Sequence, residues 1–171
     1  MEERFAVGLI VNNRFGVLNR IAGLYAKRCY NIDALSVGVT ENPEYSRMTI
    51  VSTGDEYMKE QVVRQLEKLI DVKSVALLEN KDTAFAQHMF IKMHLTGTER
   101  GSSKHQVLRY INEYSGKVVD FGEEHLTAEI TGSQEKVESF IEKVKDFGIL
   151  ELSRSGDIAI GLGIENTLSV K

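Results

Sequence analysis

Between Asn13 and Arg20 the sequence reads Asn-Arg-Phe-Gly-Val-Leu-Asn-Arg, and this is where residue types and spacing first suggest chemistry. An apolar run, Phe5 to Val11, ends just before it, with Val7, Leu9 and Val11 on one side as a buried strand requires. Leu18, Ile21, Ala22, Tyr25 and Cys29 follow at helical spacing, so the run predicts a helix over 16–28. Gly16 then sits at the strand-to-helix turn, where the first backbone N–H groups of the helix have no internal acceptor. A residue without a side chain there lets a carboxylate approach those donors and the positive end of the helix dipole. An isolated glycine in such a place more often only closes a tight turn. Its neighbours decide between the two readings.

Elsewhere the residue types do not assemble a catalytic site. The chain has no Gly-x-Ser-x-Gly elbow, and His88, His94, His105 and His125 lack any His-x-x-x-His or Cys-x-x-Cys spacing, so they read as scattered surface residues. Gly97-Thr98-Glu99-Arg100-Gly101-Ser102 resembles a phosphate loop but lacks the Gly-Lys-Ser/Thr ending, and reads as a connection. Glu123 and Glu124 are adjacent and would point to opposite faces of a strand, so a solvated turn is expected. Cys29, in the last turn of an amphipathic helix, is expected to be a small buried thiol.

Composition narrows the partners. A net charge of −4 argues against non-specific nucleic-acid binding, which needs a basic face. A single cysteine excludes an internal disulfide and suits a reducing cytoplasm. No apolar run approaches the length of a membrane span, and Met-Glu-Glu-Arg is not the start of a signal peptide. With 42% hydrophobic residues, 171 residues suffice for one domain or two small ones.

The elements that must position the first motif follow in order. Tyr30-Asn31-Ile32 leads to an alternating segment with Leu35, Val37 and Val39 on one face, and the Glu41-Asn42-Pro43-Glu44 turn returns the chain through Met48 and Ile50 as a hairpin. Asp55 can cap a helix carrying Met58, Val62, Leu66, Leu69 and Ile70, and 72–78 is a short apolar strand. Residues 80–87 are polar and read as a linker. The order then repeats: Met89, Ile91, Met93 and Leu95 alternate as a strand, 97–103 is a loop, and Val107, Leu108, Ile111 and Tyr114 form a helical face closed by Ser115-Gly116. Strands at 117–122 and 126–131 follow, then a helix carrying Val137, Phe140, Ile141 and Val144, and a last strand at 149–153. The expected fold is α+β: two tandem ferredoxin-like βαββαβ units over 1–79 and 88–155. In the tail, 156–171, Ile158, Ile160, Leu162 and Ile164 alternate with small residues, as an extra strand or a docking segment would.

Asn13-x-x-Gly16-Val17-Leu18-x-Arg20-Ile21, Arg28-x-Tyr30-Asn31-Ile32, Ser46-Arg47-Met48-Thr49-Ile50, Asp71-Val72 and Arg154-x-Gly156 together closely resemble the small, regulatory subunits of acetolactate (acetohydroxyacid) synthase. The resemblance makes the first unit an ACT domain. It implies a non-catalytic partner that activates a separate large subunit in branched-chain amino-acid biosynthesis and confers feedback inhibition by valine. Thiamine diphosphate, magnesium and FAD would belong to that large subunit, and this chain would carry no cofactor or metal. It also implies a homodimer through the ACT domain, with the effector held between two chains: Asn13, Phe15, Gly16, Val17 and Leu18 from one, Asn31 and Ile32 from the other. A free amino acid needs donors for its carboxylate, acceptors for its ammonium and a small apolar slot, and these residues suit the polar part.

Some positions depart from the family pattern. Asn12 stands where an acidic residue is usual and Phe15 where a small residue or proline precedes the glycine, so Phe15 is expected to reshape the slot. Cys29 replaces a glycine, so the helix is expected to close without a left-handed residue, and Val39 replaces a common proline. Two rival readings are a free-standing ACT-domain amino-acid sensor and a transcription regulator; the second needs a basic DNA-binding arm, which neither end of the chain offers.

Overall fold

A computed structural model describes residues 2–79, 81–95, 100–164 and 166–170, with the main chain alone for 100–103. The chain divides into two units, Met1–Phe85 with Asp157–Lys171, and Ala86–Gly156.

In the first unit, alternating apolar residues make β1 (Glu3–Asn12) a central strand, flanked by β3 (Tyr45–Gly54) and β4 (Val72–Leu78), with β2 (Ala34–Val39) at the edge beyond β3. All three pairings are antiparallel. Helices α1 (Val17–Lys27) and α2 (Glu56–Leu66) cover one face. Val7, Leu9, Val11, Met48 and Ile50 bury against Val17, Ile21, Tyr25, Val62 and Leu66, each side chain contributing about 1.5–3 kcal/mol. Asp55 caps α2, its Oδ1 accepting from the Met58 N–H at 2.8 Å. The helix ends at Leu66, so Ile70, expected on its apolar face, lies beyond it and is exposed.

The second unit repeats the order. Strands β6 (Lys117–Phe121), β7 (His125–Gly132), β5 (Thr83–His94) and β8 (Ile149–Arg154) pair antiparallel in that order. Met89, Ile91, Met93, Leu126, Ala128 and Ile130 pack against Val107 and Ile111 of α3 (Arg100–Glu113) and Val137, Phe140 and Val144 of α4 (Gln134–Val144). The molecule is therefore α+β, two tandem βαββαβ units, as the sequence pattern predicts.

Two expectations on segment ends need correction. Residues 83–87, read as linker from their polarity, form the start of β5, because backbone pairing does not require apolar side chains. The loop expected over 97–103 is already helical from Arg100; 97–99 lie outside the described residues. The tail, expected as an extra strand or a docking segment, joins the first unit. Strand β9 (Ile158–Gly161) pairs with β5, and the tail packs on the sheet face that the helices leave open. There Ala159 joins Ala6, Val51 and Leu78, Leu168 lies against Gly8, and buried Asp157 forms an ion pair with Arg4. Arg47 donates to the Ala159 carbonyl at 2.9 Å, and burial pulls its guanidinium below the ordinary value. Ile158, Ile160 and Leu162 point outward.

Helix α1 ends unexpectedly. Cys29 takes a left-handed conformation (φ 56°), with N–H bonds from Cys29 to Ala26 O (3.1 Å) and Tyr30 to Tyr25 O (3.0 Å), a Schellman closure without glycine. The thiol is exposed rather than buried, because it lies past the helix's last residue. Helix α3 closes the same way on Ser115 (φ 52°). Gly116 serves a different need, since a Cβ there would come 2.9 Å from the Glu129 carbonyl. Removing the left-handed strain by Cys29→Gly is expected to stabilise the chain by about 1 kcal/mol, raising the melting temperature roughly 2–4 °C. Calorimetry that showed a lower melting temperature would mean that the cysteine side chain contributes more than its backbone strain costs.

Candidate functional site

Strand β1 delivers the chain to a turn over Arg14, Phe15, Gly16 and Val17, with the Val17 N–H 3.4 Å from the Arg14 carbonyl. Gly16 has φ 82° and ψ −5°, the third position of a type II turn, where φ must be positive. An added Cβ would meet only Arg20 Nη1, at 3.9 Å, so the requirement for glycine here is conformational, not spatial. Ordinary helical dihedrals at this residue are thereby excluded. The tight-turn reading therefore holds for this residue.

Beyond the turn the N-terminus of α1 is open. No side chain caps it, and its first turn holds no acidic residue. The N–H groups of Leu18 and Asn19 belong to the first turn, which has no intrahelical acceptors. The Arg20 guanidinium folds back beside this opening, with Nη2 2.6 Å from the Asp71 carboxylate. Asp71 is nearly buried and also accepts from Asn12, by its carboxylate from Nδ2 at 3.3 Å and by its carbonyl from the main chain at 2.8 Å. Arg20 and Asp71 thus set the floor of the site. Neither residue signals a role in the sequence, because no local spacing links an early helix residue to one after the second helix.

Asn13 is fixed from two sides: its N–H donates to the Glu44 carbonyl at 2.7 Å, and Nδ2 donates to the Pro43 carbonyl at 2.9 Å. With Nδ2 engaged, Oδ1 is the group left to accept. Asn31 repeats the arrangement, donating Nδ2 to Asp33 Oδ1 at 2.6 Å while Asp33 Oδ2 accepts from Thr53 at 2.8 Å. Phe15 is fully exposed and Leu18 half-exposed, whereas Val17 is buried in the core beneath them and Ile32 packs at its margin.

The chain brings together Asn13, Phe15, Gly16, Val17 and Leu18. It does not bring Asn31 and Ile32 to them. These follow the far end of α1, whose 11 residues span about 16 Å. Edge strand β2 runs back toward the open helix end: Val39 pairs with Ser46, which pairs in turn with Val11. Val37 and Val39, expected on a buried face with Leu35, are instead exposed at this end, because the apolar face of β2 continues past the part that the core covers.

Several other titratable groups form ordinary surface pairs. His88 bonds Thr131 at 3.0 Å, His125 bonds Asp120 at 2.8 Å and Lys92 pairs with Glu151 at 2.8 Å. Among the described residues no group of three or more His, Cys, Asp or Glu side chains is placed to hold a metal ion. No helix among them is long and apolar enough to cross a membrane.

The two units match two family profiles: residues 7–74 an "AHAS small subunit-like ACT domain", and residues 86–163 "Small subunit of acetolactate synthase". The chain is 38% identical over 157 residues to the probable acetolactate synthase small subunit of Methanothermobacter thermautotrophicus, covering 92% of each chain. It is 41% identical over 150 residues to the small subunit of Aquifex aeolicus, covering 88% of this chain and 77% of that one. The crystal structure of the Thermotoga maritima acetolactate synthase small subunit superposes with a TM-score of 0.87 at 28% identity, over 95% of this chain and 99% of that one.

Proposed function

This chain belongs to the acetolactate synthase small-subunit family, and from that premise we propose that it is the regulatory partner of a thiamine-diphosphate-dependent large subunit, which it activates and makes sensitive to valine. The observation that carries the effector half of this reading is the uncapped N-terminus of α1 behind Gly16, flanked by the Arg20 guanidinium and the oriented Asn13 amide. An amino-acid carboxylate finds N–H donors and a cation there, and its ammonium finds Asn13 Oδ1. Phe15 and Leu18, exposed beside the opening, offer apolar surface for the side chain.

The site is completed by a second copy. Asn31 and Ile32 lie past the far end of α1, too far to serve the same chain's Gly16, yet Asn31, like Asn13, has its Nδ2 engaged and its Oδ1 left to accept. An edge strand carrying exposed Val37 and Val39 beside the open helix end suits pairing with its own symmetry mate. In this reading the homodimer is the effector-binding unit, acting in the cytoplasm without nucleic acid or membrane, and the thiamine diphosphate, magnesium and FAD belong to the large subunit. The family match over the second unit, not the ACT domain alone, favours this over a free-standing amino-acid sensor.

Reconstitution tests the activator half. The purified chain alone is expected to form no acetolactate, and the large subunit from the same genome is expected to co-sediment with it and turn over faster in its presence. Turnover by the chain free of large subunit, or a rate indifferent to its addition, would end the proposal.

A further inference from the structure

Helix α1 carries a second open face. Along α1, from Asn19 to just past its C-terminus, runs a groove of about 780 Å³ with Leu24 and Leu69 in its wall and Asn19, Arg20, Lys27 and Arg28 around it. Exposed Ile70 follows Leu69 in the chain. Gly23 opens the middle of the groove, and a Cβ placed there would meet nothing within 4 Å. The chain's own packing therefore does not require this glycine, although glycine is the poorest helix former after proline. Its effect is a notch in the helix surface where another backbone or side chain can come close. The charge around the groove is of one sign. Arg20 is paired with Asp71, but Lys27 and Arg28 have no ion pair among the described residues, and no lining residue is acidic.

From the notch, the aliphatic wall and the two unpaired cations, we infer that this groove receives an apolar segment of the large subunit that carries carboxylates. The occupant follows from charge complementarity: an apolar segment fills the wall and notch, and its acidic groups meet Lys27 and Arg28. The inference rests on the proposed partnership with the large subunit. Gly23, in the middle of the groove, lies about 10 Å along the helix from Gly16, so one helix carries the effector's donors at its start and the partner's groove along a face that runs from Asn19 to its end.

Two variants test it. Gly23→Gln fills the notch with a better helix former, and Lys27→Glu reverses one charge without touching the proposed effector residues. Each is measured by melting temperature, self-association, valine binding to the chain alone, and affinity for the purified large subunit at low and high salt. The expected result is a folded chain that self-associates and binds valine as before, with large-subunit affinity at least tenfold weaker for each variant. The Lys27→Glu defect should shrink as salt rises. Unchanged large-subunit affinity in both variants, with wild type binding normally, overturns the groove assignment and leaves the proposed function standing. Weaker self-association with unchanged large-subunit affinity also overturns it, by placing a second copy in the groove. Failure of the wild type itself to bind the large subunit overturns the proposed function and the groove together.

Discussion

Replacing Gly16 with aspartate is expected to lower the melting temperature by roughly 2–8 °C and to raise the valine midpoint of the reconstituted enzyme about ten- to hundred-fold. The two effects have separate causes. The melting loss comes from the backbone: Gly16 has φ 82°, and a side chain in that region costs about 1–2 kcal/mol even with room around it. The midpoint shift comes from charge, because the new carboxylate occupies the open helix N-terminus where the effector's carboxylate is proposed to sit. Losing one charge-assisted contact there is worth about 1.5–3 kcal/mol. Gly16→Asn separates them, since asparagine has nearly the same shape and bears the same left-handed cost as aspartate without bringing a charge. It should share the melting loss and show a much smaller midpoint shift. Equal midpoints for aspartate and wild type would remove the effector from this helix end and leave Gly16 as a turn residue alone.

The second large effect is expected at strand β2. The double variant Val37→Lys, Val39→Lys puts charges on an edge already exposed in the single chain, so folding should be little changed. If two copies pair along this edge, four valine side chains leave an apolar interface at about 1.5 kcal/mol each, and like charges face one another. Dimerisation should weaken at least about a hundredfold, and the valine response should vanish with it, because Asn31 of the second copy no longer reaches the site. Sedimentation equilibrium at micromolar concentration reads the first effect. A double variant that sediments like a dimeric wild type would put the second copy elsewhere. A strictly monomeric wild type, with or without amino acid, would count against the shared site itself.

Which parts of this were legible in the sequence follows from what each residue answers to. Val7, Leu9 and Val11, and Met89, Ile91 and Met93, alternate because half-buried strands impose a period of two, so both units could be read directly. Asp55 marks its helix as a cap and accepts from the expected N–H. Where backbone conformation decides, residue type misled. Cys29 suggested a buried thiol and a helix without a left-handed end, whereas the helix stops at Lys27 and leaves Cys29 exposed and left-handed. Gly16 was placed at the right turn, but its positive φ could not be read from its neighbours. The tail was ambiguous because its larger residues suggested burial, while in the fold Ala159 points inward and Ile158 and Ile160 outward. Arg20 and Asp71 were visible as separate motif residues; their ion pair joins distant segments and has no local signature.

The central claim, that this chain gives its large subunit both activation and an amino-acid response, is tested most directly by one titration. Acetolactate formation by the large subunit is followed with the wild-type chain present in excess, across a valine series. The predicted curve starts above the rate of the large subunit alone and falls with valine to a saturating lower level. A stimulated rate that stays flat through millimolar valine would contradict the effector site at Gly16.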